Sequence, residues 1–314
     1  AELAANAARG SGSVSDPYVI EDLRIDATGH YSGIFIGNTT AHLVISGCNI
    51  SGAVSGSEFM NELVRGNAIM LYMSSNVTVE DCSVHSCPTG IDMLSSNNVT
   101  VRNNTAYSLT MNGIAATGSM FGPSDSGSHD VLIENNVAWT VSSGVSSQTH
   151  SHNVTIRGNS VTDATFYGIT VSQSANVVVE NNNCSGNDRY GISIGSGSSY
   201  CRAANNTCLD NGEECFLFNE VSNVMVENNT AIGGHYYGVE LSSSDNCTLR
   251  DNHIEGGGAW YGICLNYAYH NRIAGNYLTG QLNLGIELGY SNAYNILENN
   301  TIVNVGRPFY LTGS

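Results

Sequence analysis

Acidic residues that could hydrolyse a glycosidic bond are scarce at the outward-facing positions of the predicted strands. Enzymes that hydrolyse glycosidic bonds use two carboxyl groups roughly 5 to 9.5 Å apart. Asp92 lies between Ile91 and Met93, in an alternation that points its side chain outward from a strand with one buried face. The segments on either side repeat this pattern without an acidic residue at that position. Asp92 is therefore the candidate catalytic residue if the protein is an enzyme.

Glu240 and Glu287 occupy the same outward position as each other, two repeats apart. The usual spacing of strands separates them by about 10 Å, and no basic residue stands between them in that column. We interpret both as solvated surface residues.

Three histidines could bind a metal. His129 and His152 occupy equivalent positions in successive repeats, and His150 lies two residues from His152. Imidazoles on adjacent rungs can share a transition metal. Because we expect no thiolate or carboxylate nearby, ordinary surface histidines are the favoured interpretation, and no cofactor is predicted.

An aromatic column comes directly before a glycine in several repeats, and Glu214 interrupts it. Stacked rings on such a wall could bind sugar rings, pair with one another or contact another subunit. We favour an interaction surface, whose predicted members are Tyr167, Tyr190, Tyr237, Trp260 and Tyr261.

These residues are positioned by a repeat whose steps are mostly 23 or 24 residues long. A fixed period of this size indicates a solenoid. Each repeat contains a Gly-Ile-x-Val strand and an Asn-Val-Thr-Val strand, and both alternate buried and exposed residues. An Asn-Asn corner and a third short strand complete the coil, so stacked amides are expected to form an asparagine ladder. The glycine column consists of Gly33, Asn67, Gly90, Gly113, Gly144, Gly168, Gly191, Cys215, Gly238, Gly262 and Gly285.

The repeat, together with the lead-in Gly12 to Glu21, resembles the right-handed parallel β-helix repeat proteins of the pectin-lyase-like superfamily, in particular the NosD-type and archaeal cell-surface group. The resemblance implies an all-β fold, a single right-handed parallel β-helix solenoid of about 11–12 coils with three short strands per coil. We expect residues 1–15 to be a lead-in or cap, and residues 16–314 to form the β-helix with insertions near 53–66 and 120–127. Enzymes of this superfamily place acidic residues on the outward strand, but their Asn-Thr-Asp, Gly-His-Gly and Arg-Ile-Lys signatures are missing.

The composition narrows the range of partners. The 314 residues carry ten basic side chains, all Arg, and a net charge of −17. Nucleic acid and anionic membranes are therefore disfavoured. No stretch reaches the ~20 apolar residues of a membrane span. The neutral, hydrogen-bonding surface suits cell-surface glycans or close protein contact, with divalent cations as further partners.

The sequence suggests export. It begins Ala1-Glu-Leu, as a mature protein does after signal-peptide removal, and we expect an extracellular or cell-envelope location. Asn-x-Ser/Thr sequons are frequent, although the repeat itself also generates them. The glycosylation candidates are Asn38, Asn76, Asn98, Asn103, Asn153, Asn205, Asn228, Asn246 and Asn299.

Nine cysteines in an exported protein favour oxidation. Cys48 is expected to stack on Cys82, and Cys184 on Cys208, close enough for disulfides, although parallel Cβ vectors are less suitable for the bond. Buried free thiols are the alternative. Cys264 is expected to face outward, where it could bond another chain.

We therefore predict a non-enzymatic structural protein of a cell envelope, such as a surface layer or sheath. Phe309 and Leu311 fall in a last inward ladder that nothing in the sequence covers, so the partner is expected to be another copy of the chain in a homopolymer. The alternative is a polysaccharide lyase or hydrolase, or a carbohydrate-binding protein, that uses the Asp92 face and the two insertions.

Overall fold

The computed structural model describes residues 2–56, 65–119, 126–256, 261–280 and 283–312. It divides into two compact units, residues 1–160 and 161–314. The first unit contains the only helix in the described residues, α1 (Glu2–Asn6). Its strands are β1 (Tyr18–Glu21), β2 (Arg24–Asp26), β3 (Ser32–Gly37), β4 (Leu43–Ser46), β5 (Asn49–Ser51), β6 (Asn67–Tyr72), β7 (Ser75–Glu80), β8 (Ser83–His85), β9 (Thr89–Leu94), β10 (Asn97–Arg102), β11 (Thr105–Tyr107), β12 (Asn112–Thr117), β13 (His129–Glu134), β14 (Val137–Gln148) and β15 (His152–Arg157).

The second unit continues the same succession of short strands from its first residues. Its strands are β16 (Ser160–Ser172), β17 (Val178–Glu180), β18 (Asn183–Cys184), β19 (Tyr190–Gly195), β20 (Arg202–Ala204), β21 (Thr207–Leu209), β22 (Phe216–Asn219), β23 (Met225–Glu227), β24 (Thr230–Ile232), β25 (Tyr237–Ser242), β26 (Thr248–Arg250), β27 (His253–Glu255), β28 (Tyr261–Asn266), β29 (Arg272–Ala274), β30 (Tyr277–Thr279), β31 (Leu284–Leu288), β32 (Ile296–Glu298), β33 (Thr301–Val303) and β34 (Arg307–Leu311).

Strand pairing is parallel and joins each strand to its counterpart one coil away. In the first unit the Asn-Val-Thr-Val strands pair in the order β1-β4-β7-β10-β13-β15. In the second unit the corresponding order is β17-β20-β23-β26-β29-β32. The glycine strands pair likewise, as β3-β6-β9-β12 in the first unit and β19-β22-β25-β28-β31-β34 in the second. The predicted fold class is confirmed: the chain is an all-β parallel solenoid of about 11 turns.

The core follows from the alternation in the sequence. In the first unit Ile69, Ile91 and Ile114 are paired in register and fully buried. In the second unit Phe216 and Val239 continue an equivalent inward column. Burying such columns removes apolar surface from water at about 25 cal/mol per Å². The repeated inward column therefore fixes the register of each coil, and with it the position of every outward side chain.

The asparagine ladder is also confirmed. In the second unit the side-chain amide of Asn206 donates to the Val179 carbonyl oxygen at 2.9 Å and to Asn229 Oδ1 at 3.0 Å. The Asn206 backbone N–H donates to that same Asn229 oxygen at 2.9 Å. Each buried amide thus has hydrogen-bond partners for its own polar groups and supplies partners to the next coil. Buried polar groups in folded proteins are nearly always hydrogen-bonded in this way.

A second role for asparagine lies in the corners. All nine glycosylation candidates have φ between 49° and 62°, a left-handed conformation that Asn adopts more readily than most residues. At one of these corners the Asn98 side chain donates to Asn76 Oδ1 at 2.7 Å. The corner geometry alone explains why Asn recurs there, and glycosylation stays a prediction.

Ion pairs link neighbouring coils, and many of the arginine residues take part in them. In the second unit the Glu227 carboxylate receives Arg202 Nε at 2.7 Å and also binds Arg250. In the first unit Arg102 binds Glu80 at 2.6 Å. A planar guanidinium with several donors can bridge stacked side chains in a way that a Lys ammonium cannot.

The two predicted insertions are described only in part. Residues 57–64 and 120–125 lie outside the described residues, as does Trp260 of the predicted aromatic face.

Candidate functional site

Glu240, Cys264 and Glu287 lie on three successive glycine strands of the second unit and are paired in register. The interpretation of the two glutamates as solvated surface residues is wrong for Glu240. Its side chain is only partly exposed, and burial raises the pKa of its carboxyl group. Glu287 is also partly buried. The alternation separates these positions from the inward Ile and Leu columns, but it does not show how far they are exposed to water.

Cys264 requires a correction as well. It was expected to expose its sulfur, but it is 1% exposed. Its thiol lies 3.6 Å from Glu287 Oε2, and the Asn266 amide donates to the sulfur at 3.3 Å. Burial raises the pKa of this thiol, and the carboxylates of Glu287 and Glu240 raise it further. The sulfur is therefore enclosed within an acidic cluster and is not available to another chain.

Glu214 is the residue that the sequence analysis did not single out as a site. It takes the place of a tyrosine directly before the glycine column, and it is 6% exposed. Its Oε2 atom is buried without a hydrogen-bond partner. Burial, followed by the negative charges of Glu240 and Glu213, raises the pKa of Glu214 to about 8. The carboxyl group is therefore largely protonated at neutral pH.

The aromatic column forms two ring pairs in place of one continuous wall. Tyr167 stacks on Tyr190 with ring centroids 5.2 Å apart, and Tyr237 stacks on Tyr261 at 5.1 Å. Glu214 occupies the rung between the pairs. Stacked rings use their faces against each other, so the faces of Tyr190 and Tyr237 that point toward Glu214 are the ones left for a ligand.

One cation lies beside this gap. Arg189 Nε donates to Glu213 Oε1 at 2.9 Å, and its guanidinium carbon lies 4.8 Å from the centre of the Tyr190 ring. Although burial opposes it, hydrogen bonds from Arg189 and Tyr190 lower the pKa of Glu213. Arg189 is thus already engaged with one carboxylate. We call the set of Tyr190, Glu213, Glu214, Tyr237, Glu240, Cys264 and Glu287 the glutamate face.

Asp92, the sequence-predicted catalytic candidate, lies in the first unit and is also not solvent-exposed. It is 2% exposed, and Thr117 Oγ1 donates to its Oδ1 at 2.8 Å. Arg65 Nη1 lies 4.0 Å from Asp92 Oδ2. The Oδ1 atom of Asn67 and the Oγ atom of Ser146 are buried without partners on the same set of glycine strands. Among the described residues, Asp92 belongs to no group of three or more His, Cys, Asp or Glu side chains that could hold a metal ion.

The histidines behave only partly as expected. His129 and His152 stack with centroids 4.9 Å apart, so the predicted proximity is found. A carboxylate is nearby, contrary to expectation, because Asp130 Oδ2 lies 2.9 Å from His129 Nδ1. Stacked rings point their nitrogens side by side, and among the described residues no group of three or more His, Cys, Asp or Glu side chains could hold a metal ion.

The expected disulfides are not formed. All nine cysteines are free and buried, including Cys48, Cys82, Cys184 and Cys208. In-register stacking directs their Cβ atoms in parallel, which does not suit a disulfide. Their thiols instead reach carbonyl oxygens, as Cys82 Sγ does with Glu80 O at 3.2 Å. The alternative of buried thiols that act as small apolar side chains is the one observed.

Sequence comparison identifies the family. A family model described as the right-handed β-helix region matches residues 32–208 and 118–246. The chain belongs to the right-handed β-helix family. This confirms the resemblance drawn from the repeat. A second model, described as the periplasmic copper-binding protein NosD, matches residues 187–313. A comparison with curated proteins finds no match.

Solved structures share the fold at low sequence identity. The A-module of the mannuronan C-5 epimerase AlgE4 from Azotobacter vinelandii is 18% identical, with a TM-score of 0.61 over 88% of this chain and 90% of that chain. PfbA, a surface adhesin of Streptococcus pneumoniae, is 13% identical, with a TM-score of 0.59 over 98% and 78%. The Dettilon tailspike protein is 14% identical, with a TM-score of 0.70 over 95% and 62%. At this identity the likeness concerns the fold alone.

The copper in the NosD description can be tested against the residues of the matched range. The cysteines there are all buried, and among the described residues no group of three or more His, Cys, Asp or Glu side chains could hold a metal ion. This donor set does not fit a copper site. No helix in the described residues is long and apolar enough to span a membrane.

Proposed function

We propose that this protein is a glycan-binding β-helix of the cell envelope that holds a polysaccharide chain along the glutamate face. The observation that carries the proposal is Glu214, a buried carboxyl group with an unpartnered oxygen between two tyrosine rings. A buried polar atom without a partner points to a missing ligand or water. A sugar hydroxyl group would supply the missing donor once the Glu214 side chain turns outward, because its Oε2 atom is covered by protein in this structure.

The surroundings of Glu214 also suit a sugar. Aromatic rings pack against the apolar faces of pyranose rings, while carboxylates accept hydrogen bonds from hydroxyl groups. Glu240 and Glu287, two coils apart with Cys264 between them, extend the acceptors in the direction in which the coils stack. Ligand sites commonly combine apolar walls with a few convergent polar groups in this way.

The net charge of −17 limits the kind of glycan. A polyuronate would bring further negative charge to a face that already contains four glutamates. The protein is therefore proposed to bind neutral or positively charged polysaccharides. The periplasmic and surface locations named for NosD and PfbA support an envelope location for this chain, and export with signal-peptide removal is part of the proposal. We further propose that binding occurs without catalysis.

Affinity electrophoresis tests the proposal. The 314-residue protein is run through gels that contain a neutral β-glucan, a mannan or alginate. We expect retardation in a neutral gel and none in alginate. Tyr237→Ala should remove the retardation, whereas Tyr277→Ala, at a 40% exposed tyrosine on a different strand set, should not. Equal effects of the two substitutions, or no retardation by any neutral glycan, would reject the proposal.

A second candidate function is self-assembly into an envelope layer. Exposed aromatic residues of the second unit favour it: Tyr290 is 65% exposed and Tyr294 is 77% exposed. Tyr294 stacks on His270 at 4.9 Å, which holds its ring in place at the surface. Exposed apolar patches of this kind often mark protein contacts. Sedimentation velocity measured with and without calcium tests it: a monomer at every concentration contradicts assembly.

A further inference from the structure

We propose that the glutamate face selects a glycan that carries ammonium groups, such as a polymer of glucosamine, over its neutral counterpart. This inference rests on the proposed glycan binding and adds the chemical class of the ligand. It is carried by the charge of the face, the unpartnered oxygen of Glu214 and the position of the two tyrosine rings.

The first argument is the uncompensated charge. Glu214, Glu240 and Glu287 form no ion pair with an arginine in the part of the chain that the structure describes. Arg189, the cation beside Glu214, is bound to Glu213. Carboxylates held together without cations raise each other's free energy, and they attract a positive ligand most strongly where water is partly excluded.

The second argument is independent of charge. The Glu214 side chain is more than nine-tenths buried, and its Oε2 atom lacks a donor. An ammonium group has three N–H donors and no acceptor. It can therefore donate to Glu214 and to another acceptor at the same time, and Glu240 lies near enough for its negative charge to raise the pKa of Glu214. The oxygen accepts a hydrogen bond whether or not the carboxyl group is protonated.

The third argument is the pair of ring faces. Tyr190 lies one rung before Glu214 and Tyr237 lies one rung after it. The strands that carry the two tyrosines are therefore about 10 Å apart. A cation near the face of an aromatic ring is attracted by the negative charge of the ring face. Arg189 already lies over the Tyr190 ring, so the face of Tyr237 is the one that a ligand ammonium group would meet.

The experiment compares two probes that differ only in charge. Isothermal titration calorimetry at pH 7 and low salt is carried out with a glucosamine pentamer and with its N-acetylated form. The proteins are wild type, Glu214→Gln, and Glu255→Gln as a control at a glutamate whose side chain is 48% exposed on another strand set. Because Gln has nearly the same shape as Glu and the Glu214 carboxyl group is largely neutral at pH 7, the Glu214→Gln protein is expected to fold, and its circular dichroism spectrum checks this.

We expect the glucosamine pentamer to bind wild type about tenfold more tightly than the acetylated pentamer. That preference should shrink in Glu214→Gln, which removes one of the three carboxyl groups, remain unchanged in Glu255→Gln and weaken with salt. Equal affinity of wild type for both pentamers, or a preference that is undiminished in Glu214→Gln, overturns the inference and leaves glycan binding intact. Binding of neither pentamer overturns the inference, and it counts against the proposed function when the neutral gels also fail to retard the protein.

Discussion

Glu214 shows how one substitution within a repeat creates a site. A tyrosine at this rung would have continued the ring stack from Tyr190 to Tyr237. A glutamate leaves a gap between two rings and places a carboxyl group where Glu213 and Glu240 repel its charge. The chemistry of the face therefore arises from a break in the ladder, and the regular rungs supply the walls.

The first prediction concerns the pH dependence of stability. The pKa of Glu214 is about 8 in the folded protein against an ordinary value of 4.5, so between these values the folded state binds more protons than the unfolded state. The stability that this proton provides is complete below pH 4.5 and is lost as the pH rises toward 8. Glu214→Gln does not titrate, so it should become more stable than wild type as the pH increases.

Thermal unfolding followed by circular dichroism between pH 4.5 and 9 measures this difference. The gap in melting temperature between Glu214→Gln and wild type should widen up to about pH 8 and then level off. A gap that is constant over this range would show that Glu214 titrates normally and is not desolvated. Glu255→Gln, at an exposed glutamate, is the control that should show no such widening.

The sequence predicted the direction of the side chains at these positions better than their exposure. Period-two alternation placed Asp92, Glu240 and Cys264 correctly on the outer side of the glycine strands. It could not show that they are shielded from water, because burial depends on contacts between coils and these contacts are not visible in the period of one strand. The break at Glu214 was visible in the aromatic column, but its burial was not.

At the scale of strands and corners, the sequence predicted the structure far better than it predicted the exposure of single side chains. The inward columns, the asparagine ladder and the three strands of each coil are consequences of short-range patterns that repeat in every coil. The corners add a conformational restraint that the repeat pattern alone did not reveal. Asn occupies positions such as 103 and 205 because the backbone there has a positive φ angle. A residue required by backbone conformation creates sequons regardless of glycosylation.

The second prediction concerns the ion pairs between coils. Glu227 binds Arg202 and Arg250 with its side chain 6% exposed, whereas Glu298 binds Arg272 with its side chain 39% exposed. Glu227→Gln removes the carboxylate that Arg250 binds and leaves Arg202 with Glu180 as its partner, so it should lower the free energy of unfolding by roughly 2 kcal/mol. Glu298→Gln should cost less than about 1 kcal/mol, as exposed pairs do.

Urea denaturation of both variants at neutral pH checks this difference. Equal losses of stability would mean that the buried carboxylate contributes no more than a surface pair. The loss in Glu227→Gln should also respond less to added salt, because shielding by ions acts mainly on exposed charges.

For the molecule as a whole, the free cysteines remove the disulfides that were expected within the chain and between chains. The fold is stabilised by stacked coils without covalent links between them, and self-assembly through disulfides loses its basis because Cys264 is enclosed. Assembly through aromatic surfaces remains a prediction, and so does glycosylation of the nine candidate asparagines. The intact mass of protein from its native source, measured before and after deglycosylation, tests the glycosylation.

The third prediction follows from this burial. Burial raises the pKa of Cys201 and of Cys247 to about 11, so these thiols are neutral at pH 8 as well as inaccessible. The folded protein should therefore react negligibly with a thiol reagent such as dithionitrobenzoate, whereas the unfolded protein should release nine equivalents, one for each cysteine. A hydrogen bond from Cys82 lowers the pKa of Cys48, so Cys48 should react first as the fold opens. Fewer than nine equivalents after unfolding without reductant would contradict the free thiols.

The location of the bound glycan is the central claim, and hydrogen–deuterium exchange tests it most directly. The 314-residue protein is compared with and without a saturating glycan oligomer that retards it in affinity electrophoresis. Slower exchange is predicted in the segments that contain Tyr190, Glu214 and Tyr237, with no change in the strand that contains Asp92. Protection of the Asp92 strand, or protection nowhere on the glycine strands of the second unit, would contradict the proposed site.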